Sequence, residues 1–545
     1  MYQIETRKFA KNDLNILDFK YGYHCVYILE NESYAYIGET KDIISRESQH
    51  SIDKKKKQYK FERIHIIGSN KAEETPAKHF ERILIKLMKA DGKFKVINGN
   101  DGIPVHYPRK NEFEMYFDEL WPELVEKGLA KTKEFQTILN SNRYKYSPYT
   151  ALTEKQHQTL TNIMNAIDSE ETEPHVSGRG FQVKPILIEG DAGTGKTVLA
   201  TSLFYHLRTN DRHKNKKIAL VYSQPTTREE MQEVFKGTEK LKKCDVVAPI
   251  ELTKQFYDII ICDEAHRLRR GKNLNMYSGT FKEGSKRLGL DDTHDELDWI
   301  FFNSKDRKKK QIQILFYDDQ QIVCPSDIEQ TSFRKRLQDP KRGIRPVKLL
   351  DEQMRMRAGD EYVPYIHGVL RHKAGVLQKF ENYDLRLFTD FSDMVKQLQE
   401  KEEEMGLCRL CSGYAWKWNK WKPDTTSDRL QGDICIDGVR IHWNTATAGW
   451  LRDQQAKDEM GSIYTLAGLD LNYVGVVIGP DLYYNNGIQV NKRELYDNKV
   501  KKGVRDGELK EYVLNTYAVL LTRGIRGAFI YVCDEKLREY FRKFF

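Results

Sequence analysis

The run from Gly190 to Thr197 reads GDAGTGKT, and it constrains the fold of this chain more than any other feature. It follows the apolar run PILIE, which is typical of a buried strand, and precedes VLATSLFYHL, which is typical of a helix. A glycine-rich turn between a strand and a helix turns backbone N–H groups toward one point, at the positive end of the helix. The pattern matches G-x-x-x-x-G-K-[ST] and predicts a phosphate-binding loop. Its candidate nucleotide-binding residues are Gly190, Gly193, Thr194, Gly195, Lys196, which would reach the outer phosphates, and Thr197, which would ligate Mg²⁺.

A second acidic motif follows further along the chain, where the apolar run YDIIIC leads into Asp263-Glu264-Ala265-His266. A carboxylate at the carboxyl end of a buried strand can hold Mg²⁺, which makes Asp263 a metal candidate. Glu264 could orient and deprotonate an attacking water. An acidic loop after a strand is the alternative, and the phosphate-binding loop in the same chain argues against it. Together the two motifs predict ATP hydrolysis.

Apolar strand candidates alternate with helical segments from Leu152 onward. A first set is PILIEG, KIALVYS, DIIICDE and QILFYDD, and a second is CRLCSGYAW, YVGVVIGP and GAFIYV. Such continuous runs are typical of parallel sheets covered on both faces. The sequence therefore predicts an α/β fold with two doubly wound parallel-sheet domains in tandem. Residues 20–105 instead alternate short runs (HCVYILE, YAYIGE, RIHIIG) with a helix from Pro76 to Ala90, and residues 106–150 are predicted to form a helical connector.

Charge and composition indicate the cellular compartment and the class of binding partner. No run approaches the roughly 18 apolar residues of a membrane helix, so no membrane partner is expected. The eight scattered cysteines fit a reducing cytoplasm. The net charge is +9, with basic clusters at Lys54–Lys57, at Lys214 to Lys217 and at Arg307–Lys310. Any one cluster reads as a solvated loop tip, but together they favour a polyanionic partner.

Further motifs resemble those of superfamily 1 helicases. Leu152 to Gln156 (LTEKQ) resembles the segment whose glutamine reads adenine, and Tyr317 to Gln321 (YDDQQ) resembles G-D-x-x-Q with Tyr in place of Gly. Leu350 to Arg355 (LDEQMR), Thr465 to Asp470 (TLAGLD) and Val519 to Gly524 (VLLTRG) resemble motifs of the second domain. The segments GYAWKW and YVGVVIGPDL are similar to those of an uncharacterised bacterial group related to the helicase part of Schlafen proteins.

This resemblance implies two RecA-like domains with ATP and Mg²⁺ in the cleft between them. Gln156 would bind adenine, Gln321 would sense the γ-phosphate, and Arg355 and Arg523 would act as arginine fingers from the second domain. Closure on ATP and opening after hydrolysis would move the domains along a nucleic-acid strand. An ATP-gated sensor that does not unwind would use the same motifs, so both interpretations stay open.

The N-terminal section resembles GIY-YIG nucleases over residues 22–102. Cys25-Val26-Tyr27, with Cys in place of the usual Gly, and Tyr36-Ile37-Gly38 match the two signature triplets. Arg46 and His50 lie one helical turn apart and can share a face. Glu81 matches the single metal-binding glutamate of the family, and Asn98 its late asparagine.

The resemblance implies a metal-dependent phosphodiesterase. Glu81 would hold one Mg²⁺ or Mn²⁺, Arg46 would stabilise the phosphorane, and Tyr27 or Tyr36 would position or deprotonate the water. The non-catalytic alternatives are that Tyr27 packs in a core and that Glu81 is a solvated helix residue. A docking module without activity is a further alternative for this domain.

Two further residue clusters are weaker candidates for functional sites. Cys408 and Cys411, with Cys435 and His442, have no standard zinc spacing, and an alternating strand would put the first two on opposite faces. Most of the seven tryptophans fall between Trp416 and Trp450, where they would either pack in a core or stack on bases.

The sequence thus predicts a nuclease-like domain at 1–105, a connector at 106–150, and RecA-like domains at 151–335 and 336–545, the last with the arginine fingers and a Trp-rich insertion. The predicted activity is ATP-dependent translocation on nucleic acid, DNA favoured over RNA, with a tethered endonuclease. Bacterial defence against foreign nucleic acid, or DNA repair, is the expected role, with a homo-oligomer or a partner subunit as a further expectation.

Overall fold

A computed structural model describes residues 3–9, 24–68, 74–98, 110–148, 152–172, 185–238, 240–274, 277–291, 293–303, 311–337, 345–347, 356–417, 434–443, 450, 454–466, 468 and 470–545. Contacts divide the chain into two compact units. The first unit holds Met1–Ala151 with Lys236–Glu239, and the second holds Leu152–Phe235 with Lys240–Phe545.

Strands and helices alternate through both units. The strands are β1 Gln3–Lys8, β2 Cys25–Glu30, β3 Tyr34–Thr40, β4 Arg63–Gly68, β5 Lys95–Val96, β6 Ile186–Glu189, β7 Ile218–Val221, β8 Val246–Val247, β9 Ile259–Cys262, β10 Ile312–Tyr317, β11 Arg345–Val347, β12 Asp384–Phe388, β13 Cys408–Ser412, β14 Ile434–Ile436, β15 Val439–Trp443, β16 Glu459–Ser462, β17 Leu471–Ile478, β18 Leu482–Tyr484, β19 Ile488–Val490 and β20 Gly524–Val532. The helices are α1 Ile43–Ile52, α2 Lys54–Lys57, α3 Glu74–Asp91, α4 Lys110–Glu126, α5 Phe135–Asn140, α6 Asn142–Lys145, α7 Glu154–Thr172, α8 Lys196–Thr209, α9 Pro225–Lys236, α10 Ser278–Leu288, α11 Glu296–Phe302, α12 Gln330–Leu337, α13 Tyr362–Leu370, α14 Phe391–Met405, α15 Ile463–Leu466, α16 Asn498–Lys501, α17 Asp506–Leu521 and α18 Glu535–Phe541.

The first unit is built on a five-stranded sheet with the order β1-β4-β2-β3-β5. Strands β2, β3 and β4 coincide with the three runs predicted from the sequence, and α3 covers the predicted helix. Phe80 of α3 stacks on Phe117 of α4, with ring centroids 4.2 Å apart. Trp121 is fully buried in the same core. The residues predicted as a connector therefore contribute to the core of this unit.

The first sheet of the second unit has the order β11-β6-β10-β9-β7-β8 and is parallel throughout. The four strands predicted for it are β6, β7, β9 and β10, and all residues of β7, β9 and β10 are buried. Their Ile- and Val-rich composition follows from helices that cover both faces. Strands β6, β10 and β9 are neighbours, so the loops that follow them meet at one edge.

The second sheet of this unit has the order β12-β20-β17-β13-β16-β15-β14, parallel except for the β14–β15 hairpin. Strands β13, β17 and β20 are those predicted from the sequence. The prediction of an α/β fold with parallel sheets is therefore confirmed.

The cysteine and tryptophan clusters between Cys408 and Trp450 lie partly within the described residues. Cys408 and Cys411 of β13 are buried in different hydrophobic clusters, as expected for opposite strand faces. Trp443 and Trp450 are buried, and Trp416 packs edge-on against Trp443, which favours core packing at these positions. Trp418 and Trp421 lie outside the described residues. Among the described residues there is no group of three or more His, Cys, Asp or Glu arranged to hold a metal. Likewise, no helix in the described part of the chain is long and apolar enough to cross a membrane.

Candidate functional site

The phosphate-binding loop connects β6 to α8. Gly193 has φ +88° and Gly195 has φ +80°, a region that residues with a Cβ rarely adopt. Lys196 opens α8 and is 5% exposed. Its Nζ donates to the backbone oxygens of Gly190 at 2.6 Å and Asp191 at 2.8 Å. The ammonium is therefore held inside the loop, at the place where the sequence motif predicts the outer phosphates of a nucleotide.

Asp263 and Glu264 follow β9 at the same sheet edge. Burial and the charge of Glu264 raise the pKa of Asp263 to about 6, opposed by hydrogen bonds from Thr197 and Tyr222. Burial also acts to raise the pKa of Glu264, but the ion pair with His266, 2.9 Å away, outweighs it and holds that pKa below its usual range. Asp263 thus lies beside the predicted Mg²⁺ ligand Thr197, and Glu264 is kept ionised, as a group that accepts a proton from water requires.

Asp318 lies between the glycine-rich loop and the Asp263–Glu264 loop, although its sequence motif suggested no role for it. It follows β10, between the loops of β6 and β9, and its Oδ2 accepts from Lys196 Nζ at 3.1 Å and from Gln321 Nε2 at 2.6 Å. Burial acts to raise the pKa of Asp318, but Lys196 and His266 lower it below its usual value. The sequence feature that could have indicated a site role for Asp318 is its position directly after a buried strand.

Arg523 joins this network from the segment just before β20. Its Nη2 donates to Gln321 Oε1 at 3.2 Å, and its side chain is 2% exposed. A continuous set of contacts therefore runs from Lys196 through Asp318 and Gln321 to Arg523. The first and second sheets thus contribute to one polar cluster.

The remaining predicted cleft residues are placed as follows. Gln156 is buried, and its Nε2 donates to the backbone oxygen of Thr194 at 3.4 Å, so it packs against the phosphate-binding loop. Gly468 has φ +79°, and a Cβ there would lie 2.6 Å from Thr227 Oγ1, which brings the TLAGLD motif against the start of α9. Arg355 lies outside the described residues.

In the first unit, four predicted residues lie together on one side of the sheet. Tyr27 Oη is 2.6 Å from His50 Nε2 and accepts from Arg46 Nε at 3.4 Å. The rings of Tyr27 and Tyr36 have centroids 6.3 Å apart. Tyr27 is fully buried, so it does pack in a core. Its hydroxyl lies in a polar cluster formed with Tyr36, Arg46 and His50, the polar cluster of the first unit.

Glu81 and Asn98 have different surroundings. Burial and the charge of Glu39 raise the pKa of the half-buried Glu81 to about 7, while Arg46 acts to lower it. Glu81 is therefore not a fully solvated helix residue. Asn98 accepts from the Ile37 backbone N–H at 3.0 Å and donates to the Ile37 carbonyl at 2.6 Å. It holds the chain after β5 against β3.

Gly38 provides a stability test of this packing. A Cβ at Gly38 would lie 2.3 Å from Tyr27 Oη, in the middle of the cluster. Gly38→Ala is expected to lower the free energy of unfolding of the first unit by about 1–3 kcal/mol, since overpacking displaces a buried ring. Gly279→Ala is the matched control because nothing lies within 4 Å of its Cβ. Denaturant unfolding of both variants measures the difference, and equal stabilities would contradict the close packing.

The second unit carries a strand–glycine-rich loop–helix segment beside an acidic pair at one sheet edge, and its family is shown by comparison with known proteins. Residues 184–534 match the family described as Schlafen group 3, DNA/RNA helicase domain. The match spans more than half of the chain, which therefore belongs to this family. It begins at residue 184, so the GIY-YIG prediction for residues 22–102 rests on the residues of the N-terminal section alone.

Further similarities are to one protein of known sequence and to several solved structures. The uncharacterized protein YPL245W of Saccharomyces cerevisiae is 27% identical over 404 residues, which cover 65% of this chain and 82% of the relative. The Pif1 helicase of Candida albicans is 10% identical, with a TM-score of 0.28 over 72% of this chain and 99% of that chain. A Bacteroides Pif1 helicase in complex with ADP-AlF3 and ssDNA is 11% identical, with a TM-score of 0.27 over 70% and 92%. These structural likenesses are too distant to assign roles to residues.

Proposed function

We propose that this helicase-family chain is an ATP-driven nucleic-acid translocase that carries a metal-dependent endonuclease of the GIY-YIG type in its N-terminal section. The proposed domains are the nuclease at 1–105, a helical connector at 106–150, and RecA-like domains at 151–335 and 336–545. DNA is the proposed substrate, favoured over RNA. Defence against foreign nucleic acid, or DNA repair, is the proposed role, with self-association or a partner subunit as part of it, because a motor joined to a nuclease suits either task.

The contact chain from Lys196 to Arg523 is the observation that carries the motor proposal. Bound Mg²⁺–ATP would be held by Thr197 and Asp263 at the metal and by Lys196 at the outer phosphates. Glu264 would accept a proton from the attacking water. Arg523, now donating to Gln321, would reach charge that develops on the transferred phosphoryl, an effect worth about 10³ to 10⁵ in rate in other such enzymes. Gln156 at the adenine and Arg355 as a second finger complete the proposed set.

The cluster of Tyr27, Tyr36, Arg46 and His50 supports the nuclease proposal. Glu81, whose pKa burial raises, is a carboxylate that a nearby cation would stabilise in its charged form, so the residue fits a Mg²⁺ or Mn²⁺ ligand. The bound metal would polarise the scissile phosphate. Arg46 would stabilise the added negative charge on phosphorus, and His50 would orient the hydroxyl of Tyr27.

Translocation and an ATP-gated sensor differ in strand displacement. We expect single-stranded DNA to stimulate ATP hydrolysis by the full chain, and a partial duplex to be unwound only when ATP is hydrolysed. Gel-resolved displacement of a labelled strand, with DNA and RNA substrates in parallel, measures this. Nucleic-acid-stimulated hydrolysis without displacement would favour the sensor.

Glu81→Gln tests the nuclease. It keeps the shape of the side chain but removes its charge, so metal-dependent cleavage should fall on the order of 100-fold or more, the range of a positioned catalytic group. Glu74→Gln is the matched control, since Glu74 lies on the same helix in an exposed pair with Lys78. Cleavage of plasmid and of single-stranded DNA is followed with Mg²⁺ and with Mn²⁺. Equal cutting by both variants would show that Glu81 is not the metal ligand.

A further inference from the structure

Lys56 departs from the expected behaviour of the Lys54–Lys57 run. The sequence suggests a solvated basic tip, but the side chain of Lys56 is only partly exposed, whereas that of Lys57 is exposed. Lys56 Nζ lies 2.9 Å from His50 Nδ1 and 3.4 Å from the centroid of the Tyr36 ring. One cation of the run is therefore directed into the polar cluster of the first unit.

The chemistry of an ammonium group determines the hydrogen-bond direction. A lysine ammonium has three donors and no acceptor, so His50 Nδ1 must accept from Lys56. A neutral imidazole that accepts at Nδ1 carries its proton on Nε2. That N–H points at Tyr27 Oη, 2.6 Å away, and must donate to it. Burial and the charges of Lys56 and Arg46 lower the pKa of His50 to about 4, which keeps the ring neutral near pH 7.

Tyr27 Oη is consequently the acceptor of two N–H groups, from His50 and from Arg46. Donors to a phenol oxygen favour the phenolate, which opposes the effect of burial on this side chain. Burial raises the pKa of Tyr27 far above its usual value. A tyrosine at this depth therefore depends on its donors to act as a base.

We propose that Lys56 is a positioning residue of the N-terminal site, which holds His50 in the tautomer that donates to Tyr27. The inference rests on the proposed nuclease function, and it makes Tyr27, rather than Tyr36, the base. In the step concerned, water oxygen bonds to phosphorus and the bond from phosphorus to the leaving oxygen breaks. Tyr27 first loses its phenol proton to solvent, the resulting phenolate takes one proton from the water, and the leaving oxygen takes a proton from solvent.

A direct role in binding the nucleic-acid backbone is the competing explanation, and a double-mutant cycle separates the two. Lys56→Met removes the donor with little change in length, Lys56→Arg keeps a donor, and Lys57→Met is the matched control. If Lys56 acts through His50, then Lys56→Met should lower the cleavage rate constant at saturating DNA on the order of tenfold or more, with KM nearly unchanged. Combined with His50→Gln it should cost nothing further, since the two residues act as one unit.

The results of these cleavage assays separate the role of Lys56 from the nuclease proposal. Additive losses, or a rise in KM with an unchanged rate constant, would overturn the positioning role. If the wild-type chain cuts and Lys56→Met cuts equally, only the assignment of Lys56 fails. If the wild-type chain shows no metal-dependent cutting that Glu81→Gln removes, the nuclease proposal fails and this inference fails with it.

The tautomer can also be measured without reference to activity. In the full chain with ¹⁵N-labelled histidine, the His50 signals are identified by their loss in His50→Gln. We expect the proton on Nε2 in the wild type and in Lys57→Met, and a changed Nδ1 shift in Lys56→Met. A proton on Nδ1 in the wild type at neutral pH would overturn the inference.

Discussion

Lys196→Ala is expected to reduce ATP hydrolysis by at least about 100-fold, with or without nucleic acid, because it removes the cation proposed to bind the outer phosphates. Lys196 Nζ is surrounded by the carbonyl oxygens of Gly190 and Asp191 and by Asp318, at distances between 2.6 and 3.1 Å. A nucleotide phosphate would take the place of one or more of these oxygens. Steady-state phosphate release, measured at saturating ATP, gives the loss directly.

The same substitution has a structural cost that must be separated from catalysis. Asp318 would stay buried without its cation, and breaking a buried ion pair from one side costs about 3–5 kcal/mol. Lys196→Ala with Asp318→Asn removes both charges and should recover much of the lost stability, but not the hydrolysis. Lys214→Ala is the control, since Lys214 lies in an exposed pair with Asp211. ATP hydrolysis by either Lys196 variant near the wild-type rate would overturn the motor assignment.

The strands and the phosphate-binding loop could be predicted because their signals are local. The strand β9 is a run of Ile259 to Cys262 with every residue buried, and its composition alone indicates a sheet covered on both faces. The glycines at 193 and 195 lie at positive φ, where the sequence motif requires them. Each of these features depends on neighbouring residues only.

Contacts between distant residues could not be predicted in the same way. Asp318 belongs to the YDDQQ motif, yet its pairing with Lys196 depends on the order of β6, β10 and β9 in the sheet. Lys56 belongs to a run of like charges, and nothing in the run shows which lysine faces a histidine from α1. Similarly, the packing of Trp121 against the first sheet depends on how α4 folds back.

Tyr317 shows how a departure from the motif is accommodated. It replaces the Gly of G-D-x-x-Q, and its ring stacks on Phe333 with centroids 3.9 Å apart and planes 6° apart. The Tyr317 ring also lies edge-on to the ring of His266, with centroids 6.2 Å apart. Since His266 pairs with Glu264, the larger side chain helps to hold the imidazole that keeps Glu264 ionised.

Arg523→Ala is expected to lower the hydrolysis rate by about 10³ to 10⁵, the range measured for arginine fingers. Arg523 contacts Gln321 and is nearly fully buried, so its side chain lies within the polar cluster that links the two sheets. Because a finger acts on charge that develops in the transition state, ATP binding should weaken much less than the rate falls. Single-turnover hydrolysis and fluorescent-nucleotide binding separate these two quantities.

Arg523→Lys distinguishes a finger from a general positive charge. A guanidinium presents a planar fork of donors and a lysine presents one point charge, so Lys should restore only a small part of the rate. Arg505→Ala is the control, since Arg505 at the N-cap of α17 is exposed and its ion pair among the described residues is with Glu508 of that helix. A rate for Arg523→Ala within about tenfold of the wild type would place this arginine outside the reaction. The contact with Gln321 would then have a structural role between the two sheets, and its loss would be seen in thermal unfolding instead.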